Sequence, residues 1–409
     1  CAASRADPIL TPYDGKLSPE TIADVYAATE REPYSPSRLE TYAACGFKFY
    51  MSHVLGIEAP DPLTREPDPG ARGSYIHGVL EEYYCSLQSS EGEPVSPHSD
   101  FNERQAQLLA VAVSQLDNEF DEHPETAFQD QWLTSVLAGL GTPDTNPHYG
   151  PEQKNNNEHP VARGLFYRFL EHELEEQART TARPTWFEAR IGQPYDAGTP
   201  LKQQPAVIDT SQGSVPIHGL IDRIDTVPGT DPTQAVIRDY KTGSSVPGET
   251  DALLGLNFQL PLYAMMAEDA LPKIETVGAA YYQVSPPTSV NSRNGQITSQ
   301  QMAAYYRSND VDVPLLRYSY PYFYTHSAFM QFIEDTTADR LCELVGGITA
   351  VRFHPTVLDP SDAGCRYCDY AHVCDVRPEP RHQTIEHIDT EQLNVYVPPL
   401  ARVHWTVYV

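Results

Sequence analysis

Lysine is nearly absent. Lys16, Lys48, Lys154, Lys202, Lys241 and Lys273 are the only six in 409 residues, and the formal net charge is -28. Such an acidic balance can signal disorder, but an aromatic content of 10% argues against it. The composition reads instead as a halophilic surface, where dense carboxylates hold water and ions in molar salt. Long-range attraction to phosphate is screened in that medium, so a shortage of basic residues does not exclude a nucleic-acid substrate. A lysine kept at position 241 is informative against this background.

Other absences narrow the class further. No apolar run approaches the ~20 residues of a membrane helix, and no signal-peptide pattern shows, so no membrane partner is expected. The only Gly-Lys pair is Gly15-Lys16, which lacks the context of a Walker A loop. Neither G-x-G-x-x-G nor H-E-x-x-H occurs, and there is no internal repeat. Any nucleotide-driven motor is therefore expected outside this chain. Seven cysteines make an odd count, which fits a reducing cytoplasm better than a disulfide framework. The chain begins at Cys1 without a methionine and reads as a fragment or processed product.

The stretch that organises the rest is Val215 to Gly243, VPIHGLIDRIDTVPGTDPTQAVIRDYKTG. Residues 215 to 227 and 235 to 241 alternate apolar and polar, as half-buried strands do. Pro228-Gly229-Thr230-Asp231-Pro232 between them predicts a turn. If Val227 pairs with Gln234, Asp222 falls opposite Asp239. Asp239 and Lys241, two apart, share a face. Opposed carboxylates repel, and a cation between them relieves the repulsion. Two aspartates beside a lysine suit a hard divalent ion and phosphoryl chemistry.

Residues 1 to 33 read as a Pro-rich lead-in. Ser35 or Ser37 can cap a helix with Leu39, Tyr42 and Ala43 on its apolar stripe and Cys45 near its end. A second helix spans Gly73 to Tyr84, with His77 and Glu81 one turn apart. Residues 86 to 180 read as a helical insertion. Trp186 to Gly192 reads as the first strand of a sheet, and Glu188 lies on it. Gln259 and Tyr263 share the face of a helix that carries Pro261 in its first turn. Val277 to Val284 is predicted as a strand and Thr325 to Val351 as a long helix. Residues 285 to 323 are irregular and aromatic, and residues 377 to 409 read as a β-rich tail.

Cys365, Cys368 and Cys374 form a C-x2-C-x5-C cluster. Zinc and iron–sulfur sites both need four ligands. His372 or the distant Cys45 could supply the fourth.

Taken together, these motifs resemble the RecB/AddB-type branch of the PD-(D/E)XK nucleases, over roughly residues 34 to 376. The carriers are Ser35 to Phe49 with Cys45, Gly73 to His77, Gly219 to Asp222, Asp239 to Gly243, Gln259 with Tyr263, and the cysteine cluster. The match departs at Gly46, where the family usually has proline. The resemblance implies an α/β fold, a restriction-endonuclease-like mixed β-sheet core flanked by helices, with a helical insertion and a C-terminal Fe–S staple. It also implies that His77, Asp222 and Asp239, with the Tyr240 carbonyl, hold Mg2+ or Mn2+, and that Lys241 activates water or steadies charge. Gln259 and Tyr263 would position DNA. Cys45, Cys365, Cys368 and Cys374 would hold a [4Fe–4S] cluster. The implied function is a metal-dependent DNA nuclease, an exonuclease in repair or recombination, with a helicase subunit or fused helicase-like region as partner. The alternatives are an inactive nuclease-fold scaffold and a CRISPR adaptation nuclease.

Overall fold

The computed structural model describes Thr21 and residues 33–58, 69–96, 100–119, 127–150, 163–178, 180–192, 199–211, 213–243, 257–284, 297–301, 305–306, 322–323, 326–353, 355, 365 and 368–374. The expected β-rich tail and nearly all of the lead-in lie outside these residues.

The first helices are α1 (Pro36–Ala44) and α2 (Gly46–Phe49), followed by a π-helical turn, Tyr50–Val54. Ser35 caps α1 by accepting the Arg38 amide at 3.2 Å, and Pro36 fits the first turn because its missing N–H is not needed there. Next come α3 (Pro69–Leu87), α4 (Phe101–Glu119), α5 (Ala127–Leu137) and α6 (Leu165–Gln177). The strands that follow are β1 (Arg183–Ile191), β2 (Thr199–Lys202), β3 (Ala206–Thr210), β4 (Gly213–Ile217), β5 (Gly219–Thr226) and β6 (Thr233–Lys241). Helix α7 (Gln259–Ala270), strand β7 (Ile274–Val284), β8 (Ile297–Gln301), two short strands (Tyr305–Tyr306 and Tyr322–Phe323), α8 (His326–Thr349) and α9 (Ala371–Cys374) complete the described elements.

Six strands form a mixed sheet in the order β2-β1-β5-β6-β7-β8. The β5–β6 and β1–β5 pairs are antiparallel, while β6 and β7 run parallel with α7 as the crossover. Both faces are covered. On one, Leu39, Ile237, Leu262, Tyr281 and Leu344 bring α1, α7 and α8 into a common core. On the other, Tyr75, Leu108, Trp132, Phe166, Phe187 and Tyr282 join α3 to α6 with the sheet. Neighbours Tyr281 and Tyr282 enter opposite cores, as the two-residue period of a strand requires. The arrangement is the restriction-endonuclease-like α/β fold.

The hairpin register is the one the turn predicts. Val227 donates to the Gln234 carbonyl at 2.8 Å, and Arg223 pairs with Arg238, Ile224 with Ile237 and Thr226 with Ala235. Two expectations need correction. The stretch 215–227 is not one strand: it breaks at His218, and β4 turns away to pair with β3. Tyr34 causes the break, accepting the His218 amide at 2.9 Å and donating to Pro216 at 3.0 Å. Nor is the hairpin half-buried. The helices of the second core cover its polar face, leaving Arg223 2% and Arg238 1% exposed.

Those arginines are buried because they are paired. Arg223 contacts Asp225 at 2.5 Å and Glu173 at 3.1 Å, and Arg238 reaches Asp225 at 2.7 Å and Glu176 at 2.9 Å. Tyr84 and Tyr282 donate to Glu173 at 2.6 and 2.8 Å. Desolvation penalties are offset only when each charge has close partners of opposite sign. The network ties α6 to the sheet beneath the site.

Candidate metal centre

His77 projects from α3 toward the far end of β5. Its Nδ1 lies 3.2 Å from Glu188 Oε1 and 3.7 Å from Asp222 Oδ1. One ligand atom from each of these three residues falls within 4.8 Å of the others. The imidazole stands edge-on to the Tyr240 ring at 5.8 Å.

The β5–β6 ladder opens at this point. Its last paired residues are Arg223 and Arg238. Beyond them the Asp222 carboxylate takes the place of a strand carbonyl, accepting the Tyr240 amide at 2.5 Å. Asp239, opposite Asp222 in register, pairs instead with Lys241 at 2.6 Å, so these two side chains do share a face. Lys241 Nζ also donates to Gln259 Oε1 at 2.5 Å. Two linked groups result: His77 with Glu188 and Asp222, and Asp239 with Lys241 and Gln259.

Glu188 is the member that periodicity and spacing do not single out, although it stands where the resembled family often carries an acid. It lies between Phe187, paired with Arg223, and Ala189, paired with Ile221, which puts it across from Asp222. Its φ is 42°, a left-handed conformation uncommon for a residue with a Cβ and concentrated at functional sites. The consequence is visible in the packing, since Phe187 enters the second core while Ala189 enters the first. The signal in the sequence is an acid on a strand, where the resembled family often has one, and its place opposite Asp222 follows only from the β1–β5 register.

The electrostatics follow from burial. Desolvation pushes Asp222 up to about 6, against the opposing pull of His77. Asp239 is pushed up to about 7 by burial and by the Asp222 charge, with Lys241 pulling it back. Burial alone lowers His77, but Asp222 and Glu188 outweigh it and raise the imidazole to about 9. Without a cation the site therefore collects protons.

Tyr263 is buried. A Cβ on Gly219 would stand 3.2 Å from Tyr263 Cε1 and 3.1 Å from Met266 Cε, so the glycine of Gly219 to Asp222 makes room for this ring. Tyr263 thus packs beneath the acidic residues, while Gln259 is half-buried beside Lys241.

A second donor group, His172 with Glu173 and Glu176, also falls within metal-ligand span. Its carboxylates already meet Arg223 and Arg238, and those guanidinium charges occupy the place a cation would take.

Among the cysteines, Cys374 is buried and Cys45, Cys365 and Cys368 are half-buried. Cys45 Sγ accepts the Lys48 amide at 3.4 Å. Among the described residues these thiols form no group within 4.8 Å. The two chain ends nonetheless meet: Tyr370 donates to the Ile57 carbonyl at 2.5 Å, Tyr42 to the Arg352 carbonyl at 2.9 Å, and Phe49 stacks on Phe353 at 5.8 Å.

Among the described residues no helix is long and apolar enough to cross a membrane. The chain is similar to a subunit of the ATP-dependent helicase/deoxyribonuclease of Moorella thermoacetica, 27% identical over 277 residues, covering 66% of this chain and 21% of the relative. The corresponding subunit from Acetivibrio thermocellus is 25% identical over 294 residues, covering 70% and 22%. That from Carboxydothermus hydrogenoformans is 20% identical over 372 residues, covering 83% and 31%. The chain thus spans about a fifth to a third of the length of these relatives. The model of the PD-(D/E)XK nuclease superfamily matches residues 33–375, from just before Tyr34 to just past Cys374, and the chain belongs to that superfamily.

Proposed function

We propose that this chain is a Mg2+- or Mn2+-dependent deoxyribonuclease, an exonuclease serving DNA repair or recombination as the nuclease part of a helicase–nuclease. The observation that carries the reading is the buried His77, Glu188 and Asp222 group with Asp239 and Lys241 beside it. Carboxylate oxygens and an imidazole at this spacing suit a hard divalent ion, and the raised Asp222 and Asp239 are what a site short of positive charge produces.

His77, Asp222 and Asp239, with the Tyr240 carbonyl, would hold the ion, and Glu188 joins them by its distance from His77. A divalent ion bound there supplies Lewis-acid polarisation of the scissile phosphate. Lys241, held by Asp239 and Gln259, orients the attacking water or steadies charge on the phosphate oxygens. The water oxygen bonds to phosphorus as the bond to the 3′-oxygen breaks, leaving a 5′-phosphate. Gln259, beside Lys241, would touch the DNA strand. Tyr263, being buried, acts by supporting the site.

The relatives' name motivates DNA as substrate and a helicase as partner, the acidic composition supports adaptation to high salt, and the odd count of seven cysteines supports a reducing cytoplasm. The cysteine set supports a structural [4Fe–4S] cluster: thiolates suit iron–sulfur centres, and Cys45 and Cys374 lie on the two segments joined by Tyr370 and Ile57. End-labelled single-stranded and duplex DNA should be degraded in molar KCl with Mg2+ or Mn2+ and spared with EDTA. Absence of cleavage by a protein that still binds Mn2+ would leave the scaffold reading instead.

A further inference from the structure

We propose that Glu40 is a positioning residue for the nuclease centre, holding the first turn of α7 so that Gln259 meets Lys241. The proposal rests on the nuclease reading above. Helix α7 begins at Gln259, and its N-cap residue Phe258 makes no side-chain cap hydrogen bond, so the first amides need a partner from elsewhere. Glu40, on α1 and 218 residues away, supplies it: Glu40 Oε1 accepts the Phe258 amide at 2.6 Å. A carboxylate there also complements the positive end of the helix. The next residue, Gln259, accepts the Lys241 ammonium at 2.5 Å, and Lys241 contacts Asp239 at 2.6 Å. The contacts therefore run from α1 through the α7 terminus to the lysine and one of the acids.

Glu40 is itself held in place. Leu39 beside it is fully buried in the first core, and Tyr42 anchors α1 to the Arg352 carbonyl at 2.9 Å. Burial pushes the Glu40 carboxyl up to about 7, and the Phe258 amide is the hydrogen-bond partner its buried oxygen needs. The carboxylate sits close enough to Lys241 and Asp239 to feel both charges. It touches neither in the structure, so its effect passes through Gln259.

The test compares Glu40→Ala, Glu40→Gln, Gln259→Ala and the Glu40→Ala/Gln259→Ala double variant. Small misplacements of catalytic groups can cost up to about 100-fold, so Glu40→Ala should lower kcat roughly 10- to 100-fold with Mn2+ binding little changed. Glu40→Gln, whose amide oxygen still accepts the Phe258 N–H, should recover most of that loss. In the Gln259→Ala background, removing Glu40 should cost less than about threefold, the non-additivity of residues acting as one unit. Additive losses, or a Glu40→Ala variant with wild-type kcat, overturn the proposal. Hydrogen exchange gives a readout independent of cleavage: amides at the start of α7 should exchange faster in Glu40→Ala than in wild type, with β7 unaffected. Unchanged exchange at α7 also overturns it, whereas wild-type protein that cuts no DNA counts against the nuclease reading alone.

Discussion

Asp222→Asn should make the metal-free protein more stable while abolishing metal binding and cleavage. Burial lifts Asp222 from 3.8 to about 6. The folded state thus binds this proton more tightly than the unfolded chain does. The cost of ionising the buried group is absent below about pH 4, grows as pH rises, and is complete above about 6. At pH 8 a displacement of that size corresponds to roughly 3 kcal/mol against the folded state. An asparagine oxygen can still accept the Tyr240 amide, which Asp222 binds at 2.5 Å, but loses the attraction to His77 at 3.7 Å. Allowing for imperfect accommodation of the amide, a net gain of about 1–2 kcal/mol is expected. In a chain of this size that raises Tm by roughly 1–4 °C. Thermal unfolding with EDTA at pH 8 and pH 5 measures it, and the gain should shrink at the lower pH. Excess Mn2+ should reverse the ranking, because it stabilises only the protein that binds it. A variant less stable than wild type without metal would show that the ionised Asp222 is no burden on the fold, and one cutting DNA at the wild-type rate would remove Asp222 from the metal centre.

Lys241→Ala should reduce cleavage by about 10²–10⁴-fold, the range for a group acting in proton transfer or charge stabilisation, while Mn2+ binding survives. Retention of normal turnover would remove Lys241 from the mechanism. Because His77 is raised to about 9, metal binding must displace its proton; between pH 6 and 8 that proton alone should raise Mn2+ affinity by about 100-fold, and the protons on Asp222 and Asp239 add to the slope. Titration calorimetry in buffers of differing ionisation enthalpy reads the released proton directly, and a pH-independent affinity contradicts this electrostatic picture. Arg223→Leu leaves Glu173 and Asp225 short of a counter-charge in the sheet and should cost about 3–5 kcal/mol, seen as a Tm lowered by roughly 3–10 °C. Cys374→Ala should remove protein-bound iron, the brown colour and some stability together. Elemental analysis of the wild type that finds zinc and no iron would discard the cluster.

Much of the architecture could be read from the chain. Ser35 announces α1, and the helix expected over Gly73 to Tyr84 falls inside α3. Pro228 to Pro232 sets the register between β5 and β6, because a short turn leaves few ways to pair the strands it joins. The same reading missed the break at His218, since the residue responsible, Tyr34, lies far away in sequence. It also took the alternation along β5 for a wet face, although Arg223 and Asp225 are buried against α6.

What the amino-acid sequence determined by itself is therefore local or periodic: the helices, the hairpin and its register, and the cysteine spacing. Only the tertiary structure placed Glu188 across from Asp222, set Glu40 at the start of α7, and drew Arg223 and Arg238 under cover. Strand and helix periods arise from neighbouring backbone geometry, so they are written in neighbouring residues. Which remote segments meet depends on how two cores pack on one sheet, and no short stretch of chain holds that information.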